Sequence, residues 1–282
     1  MSEWQVGDVT ITKVLEMEPH WPFSAILPGA EDLIDAHDWL RPDFVTDEGR
    51  MKLSIHTLVV RSEGQTILVD TCCGNGKERP GAKPFENLET DFLDRLTAAG
   101  VNPTDVDVVV CTHLHVDHVG WNTQLVDGDW VPTFPNAAYL FVEAEYSHWR
   151  DEPQHYGPVF DDSVAPVMDA ELGQLVAPDH QITSEVRLES TPGHTPGHAS
   201  VRIESGGEVA IITGDMTHHP VQFAHPDLPS SADWRQDMST ATRHDAYERW
   251  ADGRLVIGTH FAGRTAGRLE PEGAGYRFAE AT

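Results

Sequence analysis

The apolar positions of the chain fall into short runs with two different periods. Residues 9–15 are β-branched and partly alternating, which predicts a first strand. Residues 54–60 and 66–70 flank the polar stretch Ser62-Glu63-Gly64-Gln65 and predict a hairpin. Over 85–99 the spacing changes, and Leu88, Phe92, Leu93 and Leu96 share one helical face. Gly100 then stands where a C-terminal cap belongs, with Pro103 beyond it. The run Asp-Val-Asp-Val-Val-Val-Cys over 105–111 predicts a buried strand, and 138–143 another, followed by a polar helix to residue 150. Short strands follow at 186–190, 199–204 and 208–213, the last two turned by Gly206-Gly207. A helix over 240–251 and a buried strand over 255–258 complete the series.

Hairpins and strand–helix–strand units in one chain predict a mixed, layered α/β fold, read as one domain over residues 1–282. Residues 16–50 and 217–238 lack periodicity and carry Pro and Trp. Loops of that length in a compact domain usually serve function. The apolar-bearing stretch 16–50 is also a candidate for contact in a homodimer.

Charge narrows the partners. Nineteen basic against 46 acidic residues give a formal charge of −27. That excess argues against nucleic acid and anionic membranes, both of which are bound through basic surface. The apolar runs are far shorter than the roughly 20 residues of a membrane span, so a small-molecule substrate is the expected partner. The first residues are acidic and lack an apolar run, so a secretory signal is not expected. Cys72, Cys73 and Cys111 cannot form a disulfide framework, which favours reduced, inert thiols and a cytoplasmic location.

The sixteen histidines carry more information. In Cys111-Thr112-His113-Leu114-His115-Val116-Asp117-His118, four potential metal ligands fall within six residues, directly after an apolar strand. A loop leaving a strand end can fold these side chains toward one point, whereas a helix would spread them around its circumference. A His-x-His-x-Asp-His string arises by chance about 0.005 times in such a chain. Three further segments end strands in the same way: Thr191-Pro192-Gly193-His194, Thr213-Gly214-Asp215 and Gly258-Thr259-His260. Strand ends converge at one edge of a layered sheet. The resulting set is five imidazoles (His113, His115, His118, His194, His260) and two carboxylates (Asp117, Asp215), too many for one zinc and about right for two ions. His198, in Thr195-Pro196-Gly197-His198, is expected to hydrogen-bond within its turn.

These motifs, in this order, resemble those of the metallo-β-lactamase-fold hydrolase superfamily, over nearly the whole chain. The resemblance implies an αβ/βα sandwich of two mixed sheets with outer helices and metals at one sheet edge. It implies that His113, His115 and His194 hold a first divalent ion, that Asp117, His118 and His260 hold a second, and that Asp215 bridges them. Zinc is the expected metal, and Asp70 matches an early acidic position that supports the site. The expected chemistry is attack by a metal-bridging hydroxide on a carbonyl or phosphoryl centre, with Asp117 as general acid/base.

Within the superfamily, Asp-Met-Thr-His-His-Pro after Asp215 resembles the lactonase-like and methyl parathion hydrolase-like branch. Acyl-homoserine lactonases place a substrate-contacting tyrosine three residues after the bridging aspartate, where this chain has His218. His218 is therefore a candidate for substrate contact. Trp21, Phe23, Phe223 and Phe261 are candidates for an apolar substrate pocket. The expected activity is hydrolysis of a small lactone or ester, with phosphotriester hydrolysis as the alternative. A non-catalytic metal-binding sensor is the reading from a different class.

Overall fold

The computed structural model describes residues 2–281. Two mixed sheets face each other. The first has seven strands in the order Glu3–Val6, Val9–Met17, Ile55–Ser62, Gln65–Val69, Val108–Val110, Ala138–Val142, Gly173–Val176. Its first four strands pair antiparallel, and the rest are added parallel. The second has six strands running from Val186–Ser190 to Gly275–Glu280, with one parallel pair, Glu208–Ile212 beside Leu255–Ile257.

Strand alternation explains the layering, because successive side chains point to opposite faces. Leu58, Val60, Ile67, Val69 and Val110 point from the first sheet into the interface, where they meet Val201, Ile203, Ala210, Ile212 and Ile257 of the second. The outer face of the first sheet is covered by Phe92 and Leu96 of helix Phe92–Ala98 and by Val164 and Val167. The outer face of the second is covered by Ala246, Tyr247 and Trp250 of helix Gln236–Trp250 and by Phe23, Leu27 and Phe44 of the long early loop. This is the αβ/βα sandwich that the motifs imply, with helix, sheet, sheet and helix in succession.

Several elements differ from the sequence pattern, among them the unexpected edge strands Glu3–Val6 and Gly173–Val176. The helix expected over 85–99 is confined to Phe92–Ala98, behind a 3-10 turn at Lys83–Phe85. Asn87 adopts a left-handed conformation (φ 49°), which interrupts any helix; Leu88 still packs on the same cluster from a loop. The hairpin Ala266–Glu272 with Gly275–Glu280 closes the second sheet without having been expected. Its first strand carries Glu270, Pro271 and Glu272 on exposed positions, and its buried positions, such as Ala266, Leu269, Phe278 and Ala279, do not form a regular alternation. Among the described residues, no helix is long and apolar enough to cross a membrane.

Candidate metal centre

Five strand ends deliver the site. Strand Val108–Val110 runs into the loop bearing His113, His115, Asp117 and His118. Gln65–Val69 ends at Asp70, and Val186–Ser190 runs into the turn of His194. The parallel neighbours Glu208–Ile212 and Leu255–Ile257 end just before Asp215 and His260. All seven side chains of the set meet at this edge.

His194 Nε2 lies 3.2 Å from His113 Nε2 and 2.9 Å from His115 Nδ1. Asp215 Oδ2 sits centrally, 3.1 Å from His260 Nε2, 3.3 Å from His118 Nε2 and 3.9 Å from His113 Nε2. Asp117 approaches from the other side, 3.7 Å from His118 Nε2 and 3.6 Å from His260 Nε2. Donor atoms within 4.8 Å of one another form the groups His113/His115/His194, His113/His118/Asp215, Asp117/His118/His260 and His194/Asp215/His218. Residues of the first three groups are those the motifs bring together. His218 enters a fourth group that spacing alone did not indicate.

The donor set fits divalent metal. His118 Nε2 and Asp215 Oδ1 are buried with no hydrogen-bond partner among the described residues, and such atoms are costly unless something satisfies them. Burial, reinforced by neighbouring imidazoles, pushes His113 and His115 well below the usual histidine value and His194 down to about 3, leaving them neutral as metal ligation requires. Burial opposes charge on His118 and His260 too. There the carboxylates of Asp215 and Asp117, joined by Asp70 at His118, outweigh it and raise both. Two carboxylates converging on these largely buried imidazoles call for positive charge, which two divalent ions would provide.

A ring of outer groups fixes the imidazoles. Asp70, held in a left-handed conformation (φ 60°), accepts from the backbone N–H of Thr112 at 2.7 Å, from Thr112 Oγ1 at 2.9 Å and from His118 Nδ1 at 2.9 Å. Strain of that kind persists where several bonds over-determine it. Ser54 O faces His260 Nδ1 at 3.1 Å, and Asp233 Oδ1 faces His194 Nδ1 at 3.1 Å. Buried Glu145 accepts from the backbone N–H groups of Leu114 (3.0 Å) and Gly197 (2.9 Å), tying two ligand-bearing loops to helix Glu143–Asp151. His198 uses both nitrogens: Nδ1 lies 3.0 Å from Thr191 O, and Nε2 accepts the Asp215 N–H at 2.9 Å. Asp233 and Glu145 carried no motif. Each lies far along the chain from the residue it holds, and only the fold brings them together.

Above the ligands opens a cavity of about 550 Å³. His115, Asp117, His194, Asp215, His218 and His260 form its polar floor, and Trp21, Ile26, Leu53, Ile55 and Phe85 its apolar wall. No Lys or Arg lines it among the described residues. Of the four aromatics expected to line a pocket, only Trp21 does so. Phe23, Phe223 and Phe261 instead pack with Phe44 and Phe278 on the outer face of the second sheet. The cause is simple: that face needs an apolar cover, which Phe23 and Phe223 of the two long loops supply together with Phe261 beside His260. The same loops reach the cavity through Trp21, Pro22, Ala25 and Ile26 of one and His218, Ser231 and Ala232 of the other.

Residues 51–250 match the model of the metallo-beta-lactamase superfamily. An N-acyl homoserine lactonase of Bacillus sp. is 29% identical over 142 residues, 50% of each chain. The N-acyl homoserine lactonase AttM of Agrobacterium fabrum (strain C58) is 30% identical over 153 residues, covering 52% of this chain and 54% of AttM. The chain thus spans about half the length of the curated relatives it matches. Among solved structures, the hydrolase AbOPH of the beta lactamase superfamily superposes with a TM-score of 0.82 at 26% identity, covering 99% of this chain and 97% of AbOPH. AidC, a dizinc quorum-quenching lactonase in complex with a product, superposes with a TM-score of 0.79 at 20% identity, covering 100% and 97%, a likeness of fold. With its ligand-bearing strand ends, its sandwich and this match over most of its length, the chain belongs to the metallo-beta-lactamase superfamily.

Proposed function

We propose that the protein is a metal-dependent hydrolase that opens a small, neutral lactone or ester. The observation that carries this reading is the convergence of five imidazoles and two carboxylates at one sheet edge, beneath a cavity with an apolar wall and, among the described residues, no Lys or Arg in its lining. His113, His115 and His194 would hold one ion and Asp117, His118 and His260 the other, with Asp215 placed between the two groups. Two divalent ions, zinc by the nitrogen-rich donor set, would supply an acidified water and a Lewis acid for the substrate oxygen. Asp117, on the cavity floor and still 15% exposed, is placed to carry a proton to the leaving oxygen.

His218 is the substrate-facing residue of this proposal. It lines the cavity, its Nδ1 is buried without a hydrogen-bond partner among the described residues, and burial pushes it down to about 3. A neutral imidazole there offers a hydrogen bond and adds no charge. The apolar wall suits the hydrocarbon part of the substrate. The lactonase relatives support lactones first among esters.

The test is hydrolysis by zinc-loaded protein of short- and long-chain lactones, aryl esters and a phosphotriester, with metal content measured in parallel. Lactone or ester turnover at two metals per chain is the expected result. Turnover of the phosphotriester alone would move the assignment to phosphotriester hydrolysis. Tight metal with no turnover across the panel would make the protein a metal-binding sensor and overturn the enzyme reading.

A further inference from the structure

The turn that presents His194 is clasped from one side by the segment 230–235. Trp234 N–H donates to His194 O at 2.8 Å, and Arg235 N–H donates to Gly193 O at 3.0 Å. Gly193 is pressed against the start of helix Gln236–Trp250 so closely that a Cβ there would lie 2.3 Å from Ser239 N. Between these backbone bonds, Asp233 Oδ1 meets His194 Nδ1 at 3.1 Å, and both side chains are fully buried. His194 Nε2 faces His113 and His115. A carboxylate oxygen accepts, so Nδ1 is the nitrogen that donates to Asp233, and the Nε2 lone pair is left to face the cluster.

The other oxygen of Asp233 looks the opposite way. Oδ2 accepts the Ser230 N–H at 3.1 Å and lies 3.4 Å from Arg243 Nη1. Arg243 is itself fully buried and held by Pro226 O (3.0 Å), Ser239 Oγ (2.7 Å) and Thr240 Oγ1 (2.9 Å). From the Ser230 turn, bonds run onward to the early loop: Ser231 N–H donates to Ile26 O at 2.8 Å, and Ser231 Oγ donates to Ala25 O at 3.1 Å. Ala25, Ile26, Ser231 and Ala232 are wall residues of the cavity. One carboxylate thus touches a candidate metal ligand on one oxygen and the turn that shapes the cavity wall on the other.

We infer that Asp233 is a positioning residue that orients His194 toward metal and locks this orientation to the cavity wall formed by residues 25–26 and 231–232. The inference rests on the metal-dependent reading above. It assigns to the 217–238 loop a role beyond covering the site: the loop supplies the outer carboxylate for one ion. Loss of such a partner typically weakens metal affinity 10–100-fold.

The experiment titrates the full-length protein, Asp233→Asn and Ser230→Ala with zinc against a chromophoric chelator, and records cobalt spectra of each. Asp233→Asn keeps the size and removes the charge; it should bind one of two zinc ions 10–100-fold more weakly and shift the cobalt absorption bands. Ser230→Ala keeps the backbone bond to Asp233 but removes the hydroxyl that donates to Ile26 O at 3.2 Å and accepts the Ala232 N–H at 3.1 Å. It loosens the same turn without touching His194, and should keep wild-type affinity and spectrum. If Asp233→Asn does not fold, Asp233→Glu decides, an intermediate loss supporting the inference and wild-type retention overturning it. Wild-type affinity and spectrum in folded Asp233→Asn would overturn it, as would an equal loss in Ser230→Ala, which would assign the effect to the loop. A wild-type protein that holds no metal would instead remove the reading beneath it.

Discussion

His118 shows how one residue type serves two purposes through two atoms. Its Nδ1 meets Asp70 at 2.9 Å, while Nε2 points at Asp215 and Asp117 with no hydrogen-bond partner among the described residues. Replacing His118 or Asp215 by alanine removes a proposed ligand and also leaves a buried partner uncompensated. Turnover in either variant should fall by more than the roughly 10–100-fold that loss of an outer partner costs, with metal content reduced in elemental analysis. His218→Ala separates the roles differently: a drop in kcat/KM with two metals retained is the outcome for a substrate contact, and loss of a metal would make it a ligand of the group it forms with His194 and Asp215. Away from the site, Lys77 Nζ is buried against Thr123 Oγ1 (2.8 Å) and the Trp130 ring (3.6 Å), 3.5 Å from Asp162. Burial outweighs the Asp162 charge and pulls Lys77 from 10.5 to about 7. The unfolded chain keeps that proton to higher pH, so unfolding takes up a proton between these two values. Stability then rises with pH through the window and is lost as pH falls toward 7. In urea titrations at pH 7.5 and 9.5, Lys77→Met should remove up to about 1.4 kcal/mol per pH unit from that dependence. An unchanged slope would show that Lys77 keeps its charge on folding.

At the scale of elements, the strand ends were readable and their supports were not. Periodicity located most strands of both sheets, and the ligand motifs stood out because His and Asp are rare directly after apolar runs. What sequence could not show was long-range pairing. Glu145 bonds to residues 31 and 52 positions away, and Asp233 to one 39 positions back; no local pattern encodes such distances. Phe223 and Phe261 misled for the opposite reason, because an aromatic in a loop reads the same whether it lines a cavity or covers a sheet. Glu145 allows a direct test of the support. A Cβ on Gly197 would lie 2.4 Å from Glu145 N and 2.6 Å from its Cβ. Gly197→Ala must therefore push helix Glu143–Asp151 off the ligand loops. Overpacking of this kind costs about 1–3 kcal/mol. A lower Tm together with faster zinc loss to a chelator is expected. A variant with wild-type Tm would show that the helix shifts without cost.

For the whole molecule, the charge of −27 and the cavity have to be considered together. The chain carries most of its acidic residues on the surface, while the cavity, among the described residues, offers no Lys or Arg to hold an anionic group. Long-range repulsion therefore acts on any anionic substrate before it reaches the floor, and nothing in the wall compensates for it. A neutral ester experiences neither effect. Screening separates the two cases, because the Debye length shrinks from about 10 Å at 0.1 M salt to about 3 Å at 1 M. Raising salt over that range should leave kcat/KM nearly constant for a neutral ester and raise it severalfold for an otherwise matched ester bearing a remote carboxylate. The same series run on metal-loaded protein with metal content monitored excludes ion loss as the cause. A neutral substrate with strong salt dependence would show that a charged group outside the lining guides binding. A carboxylate ester preferred at low salt would show that the proposed ions themselves, rather than the protein surface, set the field that substrates meet.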